Sequence, residues 1–494
     1  MDSPRIQSIV VLGAGSAGLL AALTLRRLLP NLAVRVIHSA DLGIIGVGEG
    51  TTPVLPRHLF ETLRLDLAEF YAEAQPTWKL GLRFLWGPRP EFFYSFGGQF
   101  ESRWTDLPKA NGYYCDSDCP PCDLPAAMMA AGKSTLRRGD GWPQVHSVTA
   151  FHLENAKLVT YLASQSLKAG AVLTEGLVEK VETDAHGVSA LCLQSGERVT
   201  ADLFIDASGF RSELLGAALR EPFTDYGNAL FCDRAVIGGW PRLDEPILPY
   251  TTAETMDSGW CWQIEHEHQI NRGYVYCSRF ISDDQARDEF LRKNPKIGKE
   301  PRFVKFQSGG YKRNWVGNVV GVGNASGFVE PLEATALGIL VLTINSIAEI
   351  LREGFLSDGL RSAHNGLVRE LWEETRDFLA LHYKCNTRLD TEFWQHCREV
   401  TPLQSLTPLF EFYRENGPSG LGRHALATAD NLFSLEGHLA ILVGNRVPYD
   451  AKYSPSAHES TIWKQHCREL EASAANCLSA EVALPLIRHP AWRW

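Results

Sequence analysis

The apolar pattern near the start of the chain changes from that of a buried strand to that of a helix across a short glycine turn. Residues 9–12 are uniformly apolar, Gly13, Gly15 and Gly18 follow in a G-x-G-x-x-G spacing, and an alanine- and leucine-rich run comes next. A strand, a glycine turn and a helix in this order form the context of the dinucleotide-binding fingerprint. The first glycine permits the tight turn, the second lets the backbone approach a pyrophosphate, and the third lets helix and strand pack closely.

The elements around this turn extend the predicted nucleotide site. Ser16 and Ala17 lie in the first helical turn, where backbone amides and the helix dipole favour a phosphate. The second strand is predicted to end at Ile37 and is followed by His38 and Ser39, whereas an acid usually binds the ribose hydroxyl there. We expect His38 or Ser39 to make that contact. The fingerprint alone does not distinguish FAD from NAD.

Three later stretches add candidate contacts to the nucleotide. The loop 43–53 carries four glycines, whose freed backbone amides suit an anion or the face of a ring system. The apolar run 203–206 ends in an acid at a turn of small residues, for which an ordinary exit from strand to loop is the alternative. The stretch 318–338 is a further strand and glycine turn that enters a long apolar helix. The residues predicted to contact the nucleotide here are Gly48, Glu49, Asp206, Gly323 and Pro331.

Composition and charge bound the class of protein. A chain of 494 residues with 45% apolar content is long enough for two or three domains. A net charge of -10 without a basic run argues against a nucleic-acid partner. Residues 9–25 follow the glycine fingerprint and lack the basic flank of a signal peptide, and no other stretch approaches a membrane span. We therefore expect a cytoplasmic protein with reduced cysteines and with no nucleic-acid or membrane partner.

A lysine and a group of aromatic residues carry candidate chemistry of a different kind. Lys79 stands between apolar and aromatic neighbours. Such a lysine usually extends to the surface, and the alternative is a catalytic amine. Aromatic residues crowd between positions 91 and 104, among them Tyr94 and Phe96. Core packing is the favoured interpretation, and a cage for a flat aromatic substrate is the alternative.

Two further groups were considered as ligand sites. Alternation places Trp260 and Trp262 on one face of a predicted strand. His266 and His268 follow at the same spacing, but with glutamates beside them they are more typical of a solvated polar face than of a metal site. A C-x3-C-x2-C segment without an evident fourth ligand favours ordinary thiols over zinc or an iron–sulfur cluster. Its members are Cys115, Cys119 and Cys122.

Several of these stretches together resemble the flavin-dependent tryptophan halogenases, within the monooxygenase superfamily in which discontinuous parts of one chain hold FAD. The most specific feature is Gly-Trp-x-Trp-x-Ile at 259–264, in combination with Lys79. The resemblance extends from residue 9 to about residue 455. The other matching stretches are 46–53, 206–211, 328–335, 382–383 and 390–394.

The resemblance implies an α/β fold. Residues 1–350 are expected to form a Rossmann-like FAD-binding domain of the glutathione reductase and p-hydroxybenzoate hydroxylase type. Aromatic-rich substrate insertions are expected at about 90–147 and 220–310, and a mainly helical substrate-covering region over 351–494.

The resemblance also implies the chemistry. Reduced FAD (FADH2), O2 and chloride or bromide yield hypohalous acid. Lys79 directs this oxidant at an electron-rich arene, and Glu333 polarises it or takes the arene proton. The backbone amides of Thr335 and Ala336 bind the halide. The residues assigned to the substrate are Tyr94, Phe96, Trp260 and Trp262.

Three binding partners are expected for this protein. A separate flavin reductase supplies FADH2, because nothing in the chain resembles a dedicated NAD(P)H domain. The substrate is an aromatic small molecule or a carrier-bound aromatic group. A homodimer with a second copy of the chain is considered as a third partner, and the residues themselves do not determine the oligomeric state.

Departures from the family pattern leave alternatives open. Glu265 stands where the signature continues with proline, and Ala336 replaces the glycine of the halide-binding pair, although alanine disfavours a positive φ. Ala334 stands where serine is common, and Tyr94 where tryptophan-specific members carry histidine. An indole, a phenol or a pyrrole is therefore considered rather than free tryptophan alone. Glu265 and Ala336 keep a halide-independent flavin monooxygenase or oxidase as an alternative. The three cysteines of the C-x3-C-x2-C segment keep a non-enzymatic flavin- or metal-binding module as another.

Overall fold

The computed structural model describes residues 6–39, 48–100, 104–109, 112–115, 118, 120–428, 430–450 and 453–494. The chain forms two compact units, each assembled from three separate segments. The first unit contains residues 1–75, 153–227 and 306–373. The second unit contains residues 76–152, 228–305 and 374–494.

Short strands dominate the regular structure up to residue 328. In chain order they are β1 Ser8–Leu12, β2 Ala33–His38, β3 Glu49–Gly50, β4 Thr77–Lys79, β5 Gly81–Leu85, β6 Phe92–Ser95, β7 Leu136–Arg137, β8 Pro143–Gln144, β9 Ala150–Leu153, β10 Val172–Glu175, β11 Val178–Asp184, β12 Gly187–Leu193, β13 Arg198–Val199, β14 Leu203–Asp206, β15 Phe223–Asp225, β16 Arg234–Pro241, β17 Tyr250–Met256, β18 Gly259–Glu265, β19 Gln269–Tyr276, β20 Arg302–Lys305, β21 Gly309–Tyr311, β22 Trp315–Val316, β23 Val319–Gly321 and β24 Gly327–Phe328.

Helices dominate the later part of the chain. In chain order they are α1 Ser16–Leu28, α2 Val54–Arg57, α3 Leu67–Glu73, α4 Leu124–Ala130, α5 Asn155–Lys168, α6 Asp283–Lys293, α7 Ala336–Arg352, α8 Asp358–Cys385, α9 Glu392–Val400, α10 Thr407–Asn416, α11 Ser434–Gly444, α12 Ala457–Ala475 and α13 Ala480–Ile487. No helix in the described ranges combines the length and the apolar character that a membrane crossing needs.

A six-stranded sheet forms the centre of the first unit. Its order is β10-β2-β1-β14-β23-β22, with β22 antiparallel to β23 and the other neighbours parallel. The apolar sequence of β1 suits a strand in the middle of such a sheet, where both faces are covered. Helix α1 packs against α5 and α7 within this unit. This is the Rossmann-like α/β arrangement that the glycine fingerprint predicts, and the prediction is confirmed.

A seven-stranded, mostly antiparallel sheet forms the centre of the second unit. Its order is β20-β16-β19-β18-β17-β5-β6, and β17 and β5 pair in parallel. One of its faces buries apolar side chains, including Val236, Met256 and Tyr274, against Phe290 of α6. The sheet places the β18 tryptophans and the β6 aromatic residues on one rigid framework.

The sequence pattern predicts one helix from Phe151 to Ala169, but the helix of the structure begins later. Residues 150–153 form β9, which pairs antiparallel with β4, and α5 starts at Asn155. The sequence pattern also predicts a helix over 56–74, but residues 63–66 interrupt it, and α3 begins at Leu67 after its cap Asp66. Short apolar runs fit helix and strand equally well, so long-range pairing decides between them.

Candidate active site

The first glycine turn has the steric form that its spacing predicts. Gly13 has φ 113°, and a Cβ at this position would lie 2.4 Å from the carbonyl oxygen of Ala207. A Cβ at Gly18 would lie 1.9 Å from the carbonyl oxygen of Gly13. Around Gly15, by contrast, a Cβ would meet no described atom within 4 Å. The first and third glycines are therefore needed for packing, and the second leaves open space at the start of α1.

This open space fits the pyrophosphate of a dinucleotide. Gly15 caps α1 without a side chain, and Ser16 and Ala17 follow in the first turn, which contains no acidic residue. Amides in the first turn of a helix have no partner within the helix, and together with the dipole they favour an anion. The residues present thus fit FAD, whose contacts with them stay a prediction.

Asn155 is a residue of this site that the sequence analysis missed. Its Nδ2 donates to Oε1 of Glu49 at 3.0 Å and lies 3.5 Å from the hydroxyl of Ser16. Burial raises the pKa of Glu49 to about 7, although the hydrogen bond from Asn155 opposes the shift. Asn155 is the first residue of α5, and its position there was hidden by the helix predicted to begin at Phe151.

Three of the predicted nucleotide-contacting stretches meet in the first unit. The turn after β14 lies against Gly13, as its contact with Ala207 shows, and the amide of Val322 donates to the carbonyl of Asp206 at 2.9 Å. Gly323 has φ 57°, and a Cβ there would lie 2.7 Å from Cβ of Ala17. The ends of β1, β14 and β23 therefore form one edge, as ligand sites in parallel sheets require.

The carboxylate of Asp206 holds the turn that follows β14. The residue is fully buried, and burial raises the pKa of its carboxyl group. Oδ2 accepts the amides of Leu214 and Leu215 at 2.8 and 2.9 Å, and Oδ1 accepts the amide and hydroxyl of Ser208 at 3.1 and 2.5 Å. Both oxygens thus bind protein groups, so this side chain positions the turn.

The end of β2, where an acidic residue usually binds the ribose of the nucleotide, carries no acid in this chain. β2 runs parallel to β1 and ends at His38, and both His38 and Ser39 are half-buried. Gly48 has φ 103°, a conformation that glycine adopts readily. The rest of the predicted loop before it, residues 43–47, lies outside the described residues. A ribose contact by His38 or Ser39 stays a prediction.

The segment before α7 holds the candidate acid and the candidate halide site. Glu333 is 2% exposed. Thr335 caps α7 with φ -80°, and Ala336 is the first helical residue. Ala334 has φ 54° and is the residue in the left-handed conformation. The expectation that a positive φ would be required of Ala336 was therefore wrong. Pro331 accepts the amide of Ala334 through its carbonyl at 3.2 Å, which closes the turn.

Lys79 lies in the second unit at the end of β4 and is 0% exposed. The surface-extending alternative is therefore wrong. β4 pairs with β9, so that Lys79 lies opposite Ala150. Its Nζ lies 5.3 Å from the centre of the Phe96 ring, within the range of a cation–π interaction. Lys79 is thus an enclosed amine with an aromatic ring beside it, and its catalytic role stays a prediction.

Three of the four candidate substrate residues lie on two strands of the same sheet, and the fourth, Phe96, directly follows one of these strands. Tyr94 belongs to β6, and its ring lies 6.2 Å from that of Phe96 in an edge-on arrangement. Trp260 and Trp262 alternate on β18 and are both buried. β17 and β5 separate β18 from β6. Lys79, Phe96 and Tyr94 are thus neighbours, and the two tryptophans lie elsewhere in the sheet.

The sequence pattern favoured a solvated polar face around His266 and His268 with the glutamates beside them. Glu265, however, is buried. Its side chain is 1% exposed and forms an ion pair with Arg242, whose side chain is 6% exposed. Gln263 donates to its second oxygen at 2.6 Å. His266 is buried, whereas His268 is exposed. The charge that replaces the family's proline is therefore neutralised by Arg242, a residue without a recognisable sequence signal.

The candidate metal ligands can be compared with the structure only where their residues are described. The described residues include no group of three His, Cys, Asp or Glu side chains placed to hold a metal ion. Cys122 is buried, and its Sγ lies 3.5 Å from Oε1 of Gln99. Cys115 is half-buried, and Cys119 lies outside the described residues.

Comparison with known proteins identifies the family. The chain matches the family described as "Tryptophan halogenase" over residues 8–460. It is 31% identical over 457 residues to tryptophan 6-halogenase ThaL of Streptomyces albogriseolus, covering 85% of this chain and 84% of that protein. It is 32% identical over 448 residues to tryptophan 7-halogenase KtzQ of Kutzneria sp. (strain 744), covering 85% and 83%.

Solved structures agree with the sequence relatives. The crystal structure of MibH, described as a lanthipeptide tryptophan 5-halogenase, superposes with a TM-score of 0.87 at 33% identity, covering 98% of this chain and 94% of that one. BrvH, a flavin-dependent halogenase from Brevundimonas sp. BAL3, gives 0.85 at 27% identity, covering 98% and 99%. The chain belongs to the tryptophan halogenase family and is a flavin-dependent halogenase that uses FADH2 and a halide ion.

Proposed function

We propose that this halogenase acts on an electron-rich arene of the indole, phenol or pyrrole type, with Lys79 and Glu333 as its catalytic residues. When bound, FADH2 would activate O2, and O2 is the oxidant that converts chloride or bromide to hypohalous acid. The observation that carries the proposal is the complete burial of Lys79 beside the Phe96 ring. An exposed amine would meet any oxidant in solution, whereas a buried amine meets only molecules that enter the protein.

In the proposed step, Nζ of Lys79 donates a hydrogen bond to the oxygen of hypohalous acid. The hydrogen bond draws electrons towards oxygen and makes the halogen more electrophilic. The arene carbon attacks the halogen, a carbon–halogen bond forms, and the halogen–oxygen bond breaks. Glu333 accepts the ring proton, and the hydroxide released takes up a proton to give water. The balance is ArH + HOX → ArX + H2O.

The halide and cofactor contacts belong to the first unit. We propose that the amides of Thr335 and Ala336 bind the halide, because the start of the 17-residue helix α7 favours an anion. The proposed flavin contacts are Gly13, Gly15, Ser16, Ala17, Gly18, His38, Ser39, Gly48, Glu49, Gly323 and Pro331, with Asp206 holding its turn.

The relatives guide the choice of substrate and partners. The proteins described as tryptophan halogenases, and MibH with its lanthipeptide, make a tryptophan indole, free or within a peptide, the first substrate to test. We propose Tyr94, Phe96, Trp260 and Trp262 as substrate contacts and the helices after residue 350 as the substrate-covering region. The proposal includes a separate flavin reductase and a homodimer.

The assay combines the purified protein with a flavin reductase, NADH, FAD, O2 and bromide. We expect brominated product from at least one member of a panel of tryptophan, a tryptophan-containing peptide, indole, phenol and pyrrole compounds. Mass spectrometry detects it by the paired isotopes of bromine. Oxygenated product that forms without halide would instead support the monooxygenase alternative. Flavin oxidation without any halogenated arene across the panel would refute the proposal.

Replacing Glu333 with glutamine tests its role as the base. We expect halogenated product to fall by roughly 100-fold, because the amide does not accept the ring proton, while flavin oxidation continues at the same rate. The comparison variant is Glu330→Gln, a second buried acid in the same segment. An equal loss in both variants would assign the effect to the charge of the segment and not to Glu333.

A further inference from the structure

Lys79 shares its surroundings with buried polar side chains from three other parts of the second unit. Thr77 and Lys79 lie on β4, His152 lies on β9, Glu265 ends β18, and Arg242 follows β16. All five side chains are almost completely buried. We call these five residues the Lys79 cluster. Charges within it interact strongly, because water does not screen them.

The strands fix the geometry of the cluster. Thr77 lies opposite His152 in the β4–β9 ladder, and Lys79 lies two residues further along β4. Side chains at alternate positions of a strand share one face, so Thr77, Lys79 and His152 point to the same side of the ladder. The hydroxyl of Thr77 donates to the backbone carbonyl of Glu265 at 2.5 Å. This contact ties the lysine strand to the end of β18.

Arg242 and Glu265 supply opposite charges at that strand end. The guanidinium forms an ion pair with the carboxylate and also donates to the carbonyls of His266 and Pro246, at 3.0 and 2.6 Å. Burial raises the pKa of Glu265, and Arg242 opposes this shift. Because the two charges cancel, the pair adds little net field as long as both members are present.

His152 connects the pair electrostatically to Lys79. Its Nε2 lies 2.8 Å from the hydroxyl of Thr251. Its pKa is well below the usual value, first because of burial and then because of positive charge at Lys79, His266 and Arg242. The imidazole is therefore neutral at physiological pH. Lys79 and Arg242 both lower the pKa of this one ring, which places the ammonium group and the ion pair in the same buried cluster.

We propose that Arg242 and Glu265 are positioning residues that set the charge state of Lys79 through the balance of their own charges. This inference rests on the proposed role of Lys79 in halogenation. Without Glu265, the positive charge of Arg242 is uncompensated and disfavours the ammonium form. Without Arg242, the carboxylate is uncompensated and favours it. The charged and titratable groups that act on His152, which shares the face of the β4–β9 ladder with Lys79, are Lys79 itself, His266 and Arg242, and Glu265 is the ion-pair partner of Arg242.

The test measures the amine directly, without flavin. Cyanate is small and carbamylates only the neutral amine, so peptide mass spectrometry of Lys79 across a pH series gives a midpoint for each variant. We expect Glu265→Gln to lower the midpoint by about one pH unit, and Arg242→Met to raise it by about one pH unit. The double variant is expected to return close to the wild-type midpoint. Shifts of opposite sign are not the result of a general loss of structure.

Two controls accompany these variants. Arg242→Lys retains the positive charge and should leave the midpoint unchanged. Asp283→Asn breaks the ion pair with Arg234 at the opposite end of β16, about 25 Å away along the strand, and should also leave it unchanged. If one of the two single variants does not fold, the carbamylation midpoints of the other single variant and of the double variant still test the inference. An unchanged midpoint, or shifts of the same sign in both single variants, overturns the inference.

The halogenation assay separates this inference from the proposed function. When both hold, the pH profile of product formation shifts in the same direction as the carbamylation midpoint in each variant. Opposite carbamylation shifts without any halogenated product uphold the charge coupling and refute the proposed function. Halogenated product from wild type, together with unshifted carbamylation in both variants, refutes the coupling alone.

Discussion

Replacing Lys79 with methionine is expected to reduce halogenated product by roughly 1000-fold while reduced flavin still consumes O2, because only the hydrogen-bond donor for the oxidised halogen is lost. Methionine retains the length and the apolar stem of the side chain. It also removes a charge from a fully buried position, where desolvation is costly. We therefore expect the melting temperature to be unchanged or higher. Product is measured by mass spectrometry, and flavin oxidation by absorbance.

The matched control for this variant is Lys293→Met in the same unit. Lys293 forms an ion pair with Glu254 at 3.3 Å and has no proposed catalytic role. We expect it to retain product formation. Full halogenating activity in Lys79→Met would exclude the assigned role of the lysine. A joint loss of product and of flavin oxidation would assign Lys79 to cofactor binding or to folding.

Substituting alanine for Gly18 is expected to abolish FAD binding and to destabilise the first unit by about 3 kcal/mol. The added Cβ would lie 1.9 Å from the carbonyl oxygen of Gly13, a backbone atom that does not move without shifting the whole turn. That shift separates α1 from β1 and displaces the amides proposed to face the pyrophosphate. Isothermal titration with FAD and thermal unfolding measure the two effects.

Gly15→Ala separates the two effects. Its Cβ would meet no described atom within 4 Å, and the backbone at φ -75° suits alanine. We expect an unchanged melting temperature and at least a tenfold weaker affinity for FAD, because the methyl group fills the space assigned to the pyrophosphate. Gly298→Ala, also without a neighbour within 4 Å, is the neutral control. Unchanged FAD affinity in Gly15→Ala would contradict this placement of the cofactor.

The nucleotide-binding edge was largely predictable because its signals are local. A strand followed by glycines of the correct spacing predicts where backbone must come close to backbone, and the turns after β1, β14 and β23 do meet. Asn155 escaped prediction because the preceding residues form a strand only through pairing with β4. The left-handed residue before α7 was expected at Ala336 but is Ala334, two positions earlier. The family pattern indicates which residue types occur in this segment, but it does not specify the φ angle of each one.

The importance of Lys79 came from the resemblance, since its neighbours in sequence favoured a surface lysine over a catalytic one. By itself, the sequence determined the strand–turn–helix units and the family, because glycine sterics and apolar periodicity depend on neighbouring residues. Only the tertiary structure decided which charged side chains are buried and which residues they interact with. Thr77 and Glu265, 188 positions apart, are joined by a hydrogen bond. Desolvation of this kind depends on how distant strands pair, which no local pattern specifies.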